Sequence, residues 1–218
     1  MLHCVTSVDS IGGIKMVNTR REKTLKLVQI SVLIAIIFVM AFTPLGYFQI
    51  IPGGASITLL PIPVIIGAVI LGPGAGALLG GVFGLTSLIT CFGLDHFGTA
   101  LFGVNPLFTA ILCFVPRILM GLIVGLVCMG LSKVFKGEKS KMLKYPIACI
   151  FGAPLNTALF VVGLSLMFSK MEGMPEAINT IITTAIGVNG VIEAIACFVV
   201  GTAAAIALDV FLTKSKMK

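Results

Sequence analysis

The sequence predicts an all-α membrane protein, a bundle of six transmembrane helices with both termini in the cytoplasm, and three observations predict it. The chain has 218 residues, of which 58% are hydrophobic and only 11% charged, against roughly 25% charged in a soluble domain. Its apolar residues fall in recurrent long runs, and about 20 such residues suffice to cross a bilayer. Its lysines and arginines gather beside those runs in three clusters, Lys15 to Lys26, Lys133 to Lys144 and Lys214 to Lys218, the pattern of cytoplasmic flanks.

Taken in order, residues 1–22 read as a poorly ordered cytoplasmic leader, with Met16 as an alternative start. Leu25 to Thr43 is too long for the core of a signal peptide and reads as the first retained span. The following stretch P-L-G-Y-F-Q-I-I-P-G-G-A-S-I-T is broken by Pro52, Gly53 and Gly54 and reads as an irregular loop. Two compact segments, Leu59 to Leu71 and Ala75 to Cys91, are separated by G-P-G-A-G. Short, interrupted segments are common where transporters build their sites.

After the loop F-G-L-D-H-F-G-T come three longer spans, Leu107 to Leu131, Pro146 to Phe168 and Ile186 to Leu212. Six crossings of residues 23–214 return the chain to the cytoplasm at the second basic cluster and again at the tail, residues 215–218. Only Arg117 and Lys170 lie outside the clusters, so the net charge of +7 marks membrane flanks and no nucleic-acid partner. Most of the 25 glycines stand in the spans, where small residues let helices approach closely. Ser31 and Ala35 form a small-x-x-x-small pair that serves internal packing by default, or a partner helix.

Polar groups at membrane depth carry the chemistry, because a charge at the bilayer centre costs about 2.5 to 3.5 kcal/mol on insertion scales. Arg117, Asn156, Asn189 and Glu193 qualify. At about 1.5 Å per residue, Arg117 lies roughly 15 Å below the outer start of its span. Asn156 meets it near mid-depth, while Asn189 and Glu193 share one face of the last helix. The set can converge on a cavity open to the outside. Pro116 and Pro154 each free a carbonyl one turn earlier, for a ligand or water to satisfy. The competing reading pairs Arg117 with Glu193 to hold the bundle.

A guanidinium suits a carboxylate or phosphate, so an anionic ligand is favoured, and asparagine offers amide donors and acceptors. The chain has no Trp and two Tyr, Tyr47 and Tyr145, which disfavours a large stacked ring, although Phe151 and Phe160 remain available. Tyr47 joins the candidate substrate-binding set.

The six cysteines, at 4, 91, 113, 128, 149 and 197, lie apart in sequence with no C-x-x-C pair and read as buried small hydrophobes. No metal site and no cofactor are expected. G-K-[ST], H-E-x-x-H and G-x-S-x-G are absent, so no nucleotide hydrolysis or hydrolase chemistry is expected of this chain.

Residues 56–88, S-I-T-L-L-P-I-P-V-I-I-G-A-V-I-L-G-P-G-A-G-A-L-L-G-G-V-F-G-L-T-S-L, and 105–121, N-P-L-F-T-A-I-L-C-F-V-P-R-I-L-M-G, resemble the substrate-binding S components of energy-coupling factor (ECF) transporters. The branch they are most similar to is the pantothenate one. The resemblance implies a multi-pass cell-membrane subunit that binds a vitamin from outside and topples within a complex of a transmembrane coupling subunit and two ATPase subunits. It implies that Arg117, Asn156 and Asn189 face the ligand, that the loop after the first span is a lid, and that Ser31 and Ala35 contact the coupling subunit. Folate or riboflavin are the alternative ligands. A non-binding membrane scaffold and an autonomous ion-coupled carrier are the alternative classes.

Overall fold

The computed structural model describes residues 6–43, 46–48, 57–134, 138–168 and 190–208. Helix α1, Thr6–Ala41, begins inside the stretch predicted to be a poorly ordered leader and runs unbroken into the first span. A two-residue antiparallel pair follows, β1 (Tyr47–Phe48) with β2 (Ile57–Thr58), setting Tyr47 opposite Thr58. The pair lies towards the two ends of the stretch expected to be a loop too irregular for a span.

Helices α2 (Pro61–Leu71) and α3 (Pro73–Thr90) are joined by Gly72 alone. Its φ of 99° is a conformation that glycine adopts at no steric cost. Pro73 then opens α3, where its missing N–H would be unpaired in any case. Helix α4, His96–Val104, lies in the stretch expected to be loop. Asp95 caps it by accepting from the Gly98 N–H at 2.8 Å, as short polar side chains do at helix starts. Asn105 does the same for α5 (Pro106–Val134), accepting from Leu107 and Phe108 at 3.1 and 3.2 Å. Helix α6 spans Glu138–Phe168. Helix α7 runs from Gly190 to Leu208 with one π-helical turn, Cys197–Gly201.

Among the described residues, five stretches are long and apolar enough to cross a bilayer: Lys23–Ala41, Pro73–Thr90, Pro106–Lys133, Tyr145–Phe168 and Gly190–Leu208. Apolar side chains such as Leu27, Val39, Leu166 and Ile195 stand exposed on their outer faces, which only a hydrocarbon surround tolerates over so much surface. The chain is a membrane protein. Helix α2 differs, since its 11 residues reach about 16 Å, short of the roughly 30 Å hydrocarbon core. It is buried from Pro61 to Val69, at the centre of the bundle.

The closest packing joins α3 to α5. Gly76, Gly80 and Gly84, one turn apart on α3, lie against the backbone of Gly121, Arg117 and Cys113 of α5. A Cβ at Gly80 would collide with the Arg117 carbonyl, and one at Gly76 with the Gly121 carbonyl. Only a side-chain-free stripe lets the helices meet so closely. The register of that stripe fixes where Arg117 sits.

Ser31 and Ala35 are exposed on α1, and the Ser31 hydroxyl bonds only back to the Leu27 carbonyl at 2.9 Å. The default expectation of internal packing is therefore corrected: both residues look outward from the bundle, whose core takes Leu33, Ile37 and Ala41 from α1 instead.

Candidate substrate-binding site

Arg117 is 8% exposed in the middle of the bundle. Proline at 116 removes the N–H that the Leu112 carbonyl would have accepted, and the Arg117 guanidinium replaces it, with Nη1 donating to Leu112 at 2.7 Å. The freed carbonyl assigned to a ligand or water is thus satisfied by the neighbouring side chain. The same guanidinium lies over two rings, 5.4 Å from the centroid of Phe83 on α3 and 5.0 Å from that of Phe160 on α6, within cation–π range. Its Nε is buried without a hydrogen-bond partner.

Glu193, in the first turn of α7, is 5% exposed. Its Oε1 accepts from the Thr58 backbone N–H at 2.6 Å and from the Thr58 hydroxyl at 3.0 Å, and its Oε2 from the Thr157 hydroxyl at 3.2 Å. Among the described residues no ion pair joins it to Arg117. The direct-pair alternative is therefore corrected: the carboxylate fastens β2 to α6 and α7, while the guanidinium is held by a carbonyl and two rings. Asn156, after Pro154 on α6, is 5% exposed, and its Oδ1 is buried with no partner.

All three side chains line one cavity with about 110 Å³ open to the centres of water-sized molecules, several times the 10–15 Å³ that one water needs. Thr58, Thr157, Asp95 and Phe160 are among the other polar and aromatic residues of its wall. Buried polar atoms are ordinarily bonded, so unpaired atoms on three residues of one cavity wall, Arg117 Nε, Asn156 Oδ1 and Asp95 Oδ1, suit a small polar molecule, with the guanidinium as the group for an anionic part of it.

Residues 25–203 match the family model for the ECF transporter substrate-specific component. The chain belongs to that family. It is similar to the pantothenate transporter PanT of Leuconostoc mesenteroides subsp. mesenteroides, 32% identical over 164 residues that cover 71% of this chain and 77% of the relative. It is also similar to the pantothenic acid transporter PanT of Lactococcus lactis subsp. cremoris, 26% identical over 193 residues that cover 84% of this chain and 93% of the relative. As an S component it is a multi-pass cell-membrane protein and a transporter subunit, not an enzyme.

Of the site residues expected in this S component, Arg117, Asn156 and Glu193 meet at the cavity. Asn189 lies outside the described residues, as does the Tyr47 side chain. Of the two phenylalanines held in reserve, Phe160 stacks on Arg117, whereas Phe151 is 66% exposed on the outer surface. Sequence reasoning missed Thr58, Thr157, Asp95 and Phe83. Thr157 had a signal in standing beside Asn156; Phe83 had none, because its role depends on which face of α3 meets α5. The five described cysteines are free and buried, as expected; what the spacing did not show is that Cys91 and Cys113, 22 positions apart, bring their sulfurs within 3.9 Å in this cavity.

Replacing Glu193 by alanine in the S component should strand the Thr58 N–H, at a cost of about 1–3 kcal/mol. A lower thermal midpoint with faster amide exchange at Thr58 is the expected result, and Glu193→Gln, which keeps an acceptor, should retain most of both. Equal exchange in all three proteins would show that the carboxylate does not fasten β2.

Proposed function

We propose that this S component binds pantothenate from outside the cell and delivers it for ATP-driven uptake. The observation that carries the reading is the buried, ring-clamped Arg117 sharing a cavity with Asn156, whose Oδ1 has no partner. Pantothenate offers one carboxylate for a guanidinium and an amide and hydroxyls for asparagine, without a large flat ring. The names of the two relatives support the same choice. Asn189 and Tyr47 are assigned to the ligand with Arg117, Asn156 and Glu193, the last also as organiser of β2.

The chain crosses six times, with α2 as the short sixth crossing, and residues 1–22 and 215–218 lie in the cytoplasm. The positive-inside pattern of the three basic clusters supports this topology. Maleimide labelling of cysteines placed singly at positions 140 and 217 should require membrane permeabilisation; labelling in intact cells would reverse it. The chain carries no G-K-[ST], so two separate ATPase subunits supply hydrolysis, and a transmembrane coupling subunit receives the exposed Ser31 and Ala35 face of α1.

A thermal-shift panel on the purified protein tests the ligand. Pantothenate at 100 times its Kd should stabilise the fold by about 2.7 kcal/mol, with sub-micromolar affinity at equilibrium, while folate and riboflavin leave the midpoint unmoved. A shift with another vitamin reassigns the substrate, and silence across the panel favours the scaffold reading.

A further inference from the structure

We propose that Cys91 and Cys113 form a modification site inside the cavity, a dithiol that small disulfides oxidise to a reversible cystine and that bound ligand shields. The two sulfurs stand 3.9 Å apart, and Cys91 Sγ also lies 3.2 Å from the Ser87 carbonyl. They come from different elements, Cys91 from the turn ending α3 and Cys113 from α5. The glycine stripe holds those elements together at this level, with Gly84 against the Cys113 carbonyl and the Phe114 backbone. Both sulfur residues line the cavity, whereas the buried Cys128, Cys149 and Cys197 do not.

A disulfide needs its sulfurs about 2.05 Å apart. The pair must therefore close by a little under 2 Å from the observed 3.9 Å, a movement assigned to rotation of the two cysteine side chains. In the proposed topology this end of α3 faces the exterior, where disulfides persist.

The chemistry balances with a small disulfide, R–S–S–R, as oxidant. One cysteine thiolate attacks it, forming a mixed disulfide and expelling R–S⁻, which takes up the cysteine's proton. The second thiolate attacks the protein sulfur of that mixed disulfide, forms the Cys91–Cys113 bond and releases the second R–SH. Two protein thiols are oxidised and one disulfide is reduced to two thiols; dithiothreitol reverses the sequence.

The probe is 2-hydroxyethyl disulfide, small and neutral, applied to the purified full-length protein, with free thiols counted by mass after denaturation and maleimide labelling. The wild type should lose two labels and regain them with dithiothreitol, while Cys91→Ser and Cys113→Ser each show no paired loss. An unchanged count in the wild type, or the same paired loss in both variants, overturns the site. Should a serine variant fail to fold, cleavage of the oxidised wild type before Asp95 reads the link directly: two fragments joined until reduction support it, and two free fragments overturn it.

Shielding rests on the proposed function, and saturating pantothenate should slow the paired loss at least tenfold. If pantothenate binds and the rate is unchanged, shielding is overturned. If pantothenate does not bind, the ligand assignment fails, and the ligand-free thiol count still decides the dithiol.

Discussion

Replacing Arg117 by alanine is expected to weaken pantothenate binding about 100-fold, measured at equilibrium on purified protein. Hydrogen bonds to charged groups contribute about 1.5–3 kcal/mol each. A guanidinium paired with a carboxylate makes up to two of them, and about 2.8 kcal/mol corresponds to a factor of 100. The same change has a second consequence, because the Leu112 carbonyl loses the Nη1 donor that stands in for the N–H missing at Pro116. Part of the loss could therefore come from a damaged helix.

Pro116→Ala separates the two effects by returning a backbone N–H to Leu112. The double variant Pro116→Ala, Arg117→Ala should recover thermal stability and still fail to bind. Recovery of both would make Arg117 a structural residue and leave the ligand to the other groups of the cavity. Wild-type affinity in the single variant would remove Arg117 from the site altogether.

The second large effect is expected at Gly80, where valine should lower stability by about 3 kcal/mol, the upper end of the usual cost of overpacking, and abolish measurable binding. Its Cβ would meet the Arg117 carbonyl and the Ile118 backbone. A collision with backbone cannot be relieved by rotating a side chain, so α3 and α5 must separate at the level of the guanidinium. Gly81 supplies the control, because a Cβ there meets only the Ile118 side chain at 3.8 Å. Gly81→Val should keep both stability and binding within twofold to threefold of wild type. Equal behaviour of the two variants would mean that the glycine stripe does not set the position of Arg117.

The long helices could be read from sequence because hydropathy over 20 residues leaves little choice of structure: the runs Leu107 to Leu131 and Pro146 to Phe168 lie within α5 and α6. The break between α2 and α3 was legible in G-P-G, since Gly72 adopts the φ that glycine tolerates best. Helix α4 was hidden by its nine residues and two glycines, although Asp95 stood as a cap signal. The strand pair was hidden because two residues carry no periodicity, and its anchor, Glu193, lies 135 positions away.

Arg117, Asn156 and Glu193 stood out as polar groups among hydrocarbon. What sequence could not supply was which faces turn inward together. The Phe83 and Phe160 clamp, the Thr58 and Thr157 contacts and the paired thiols all join different elements. Proline chemistry foretold a freed carbonyl at Leu112, yet nothing in the pattern said that the adjacent arginine would curl back to it.

That curl has a consequence for how quickly and tightly an anion is taken up. A free arginine side chain carries about 2 kcal/mol of rotamer entropy, and a partner that must freeze it surrenders affinity accordingly. In this chain the Leu112 carbonyl and the two rings have already stilled the side chain during folding. In the proposed function an arriving carboxylate would meet a preorganised fork, and tight capture would demand little rearrangement from the arginine itself.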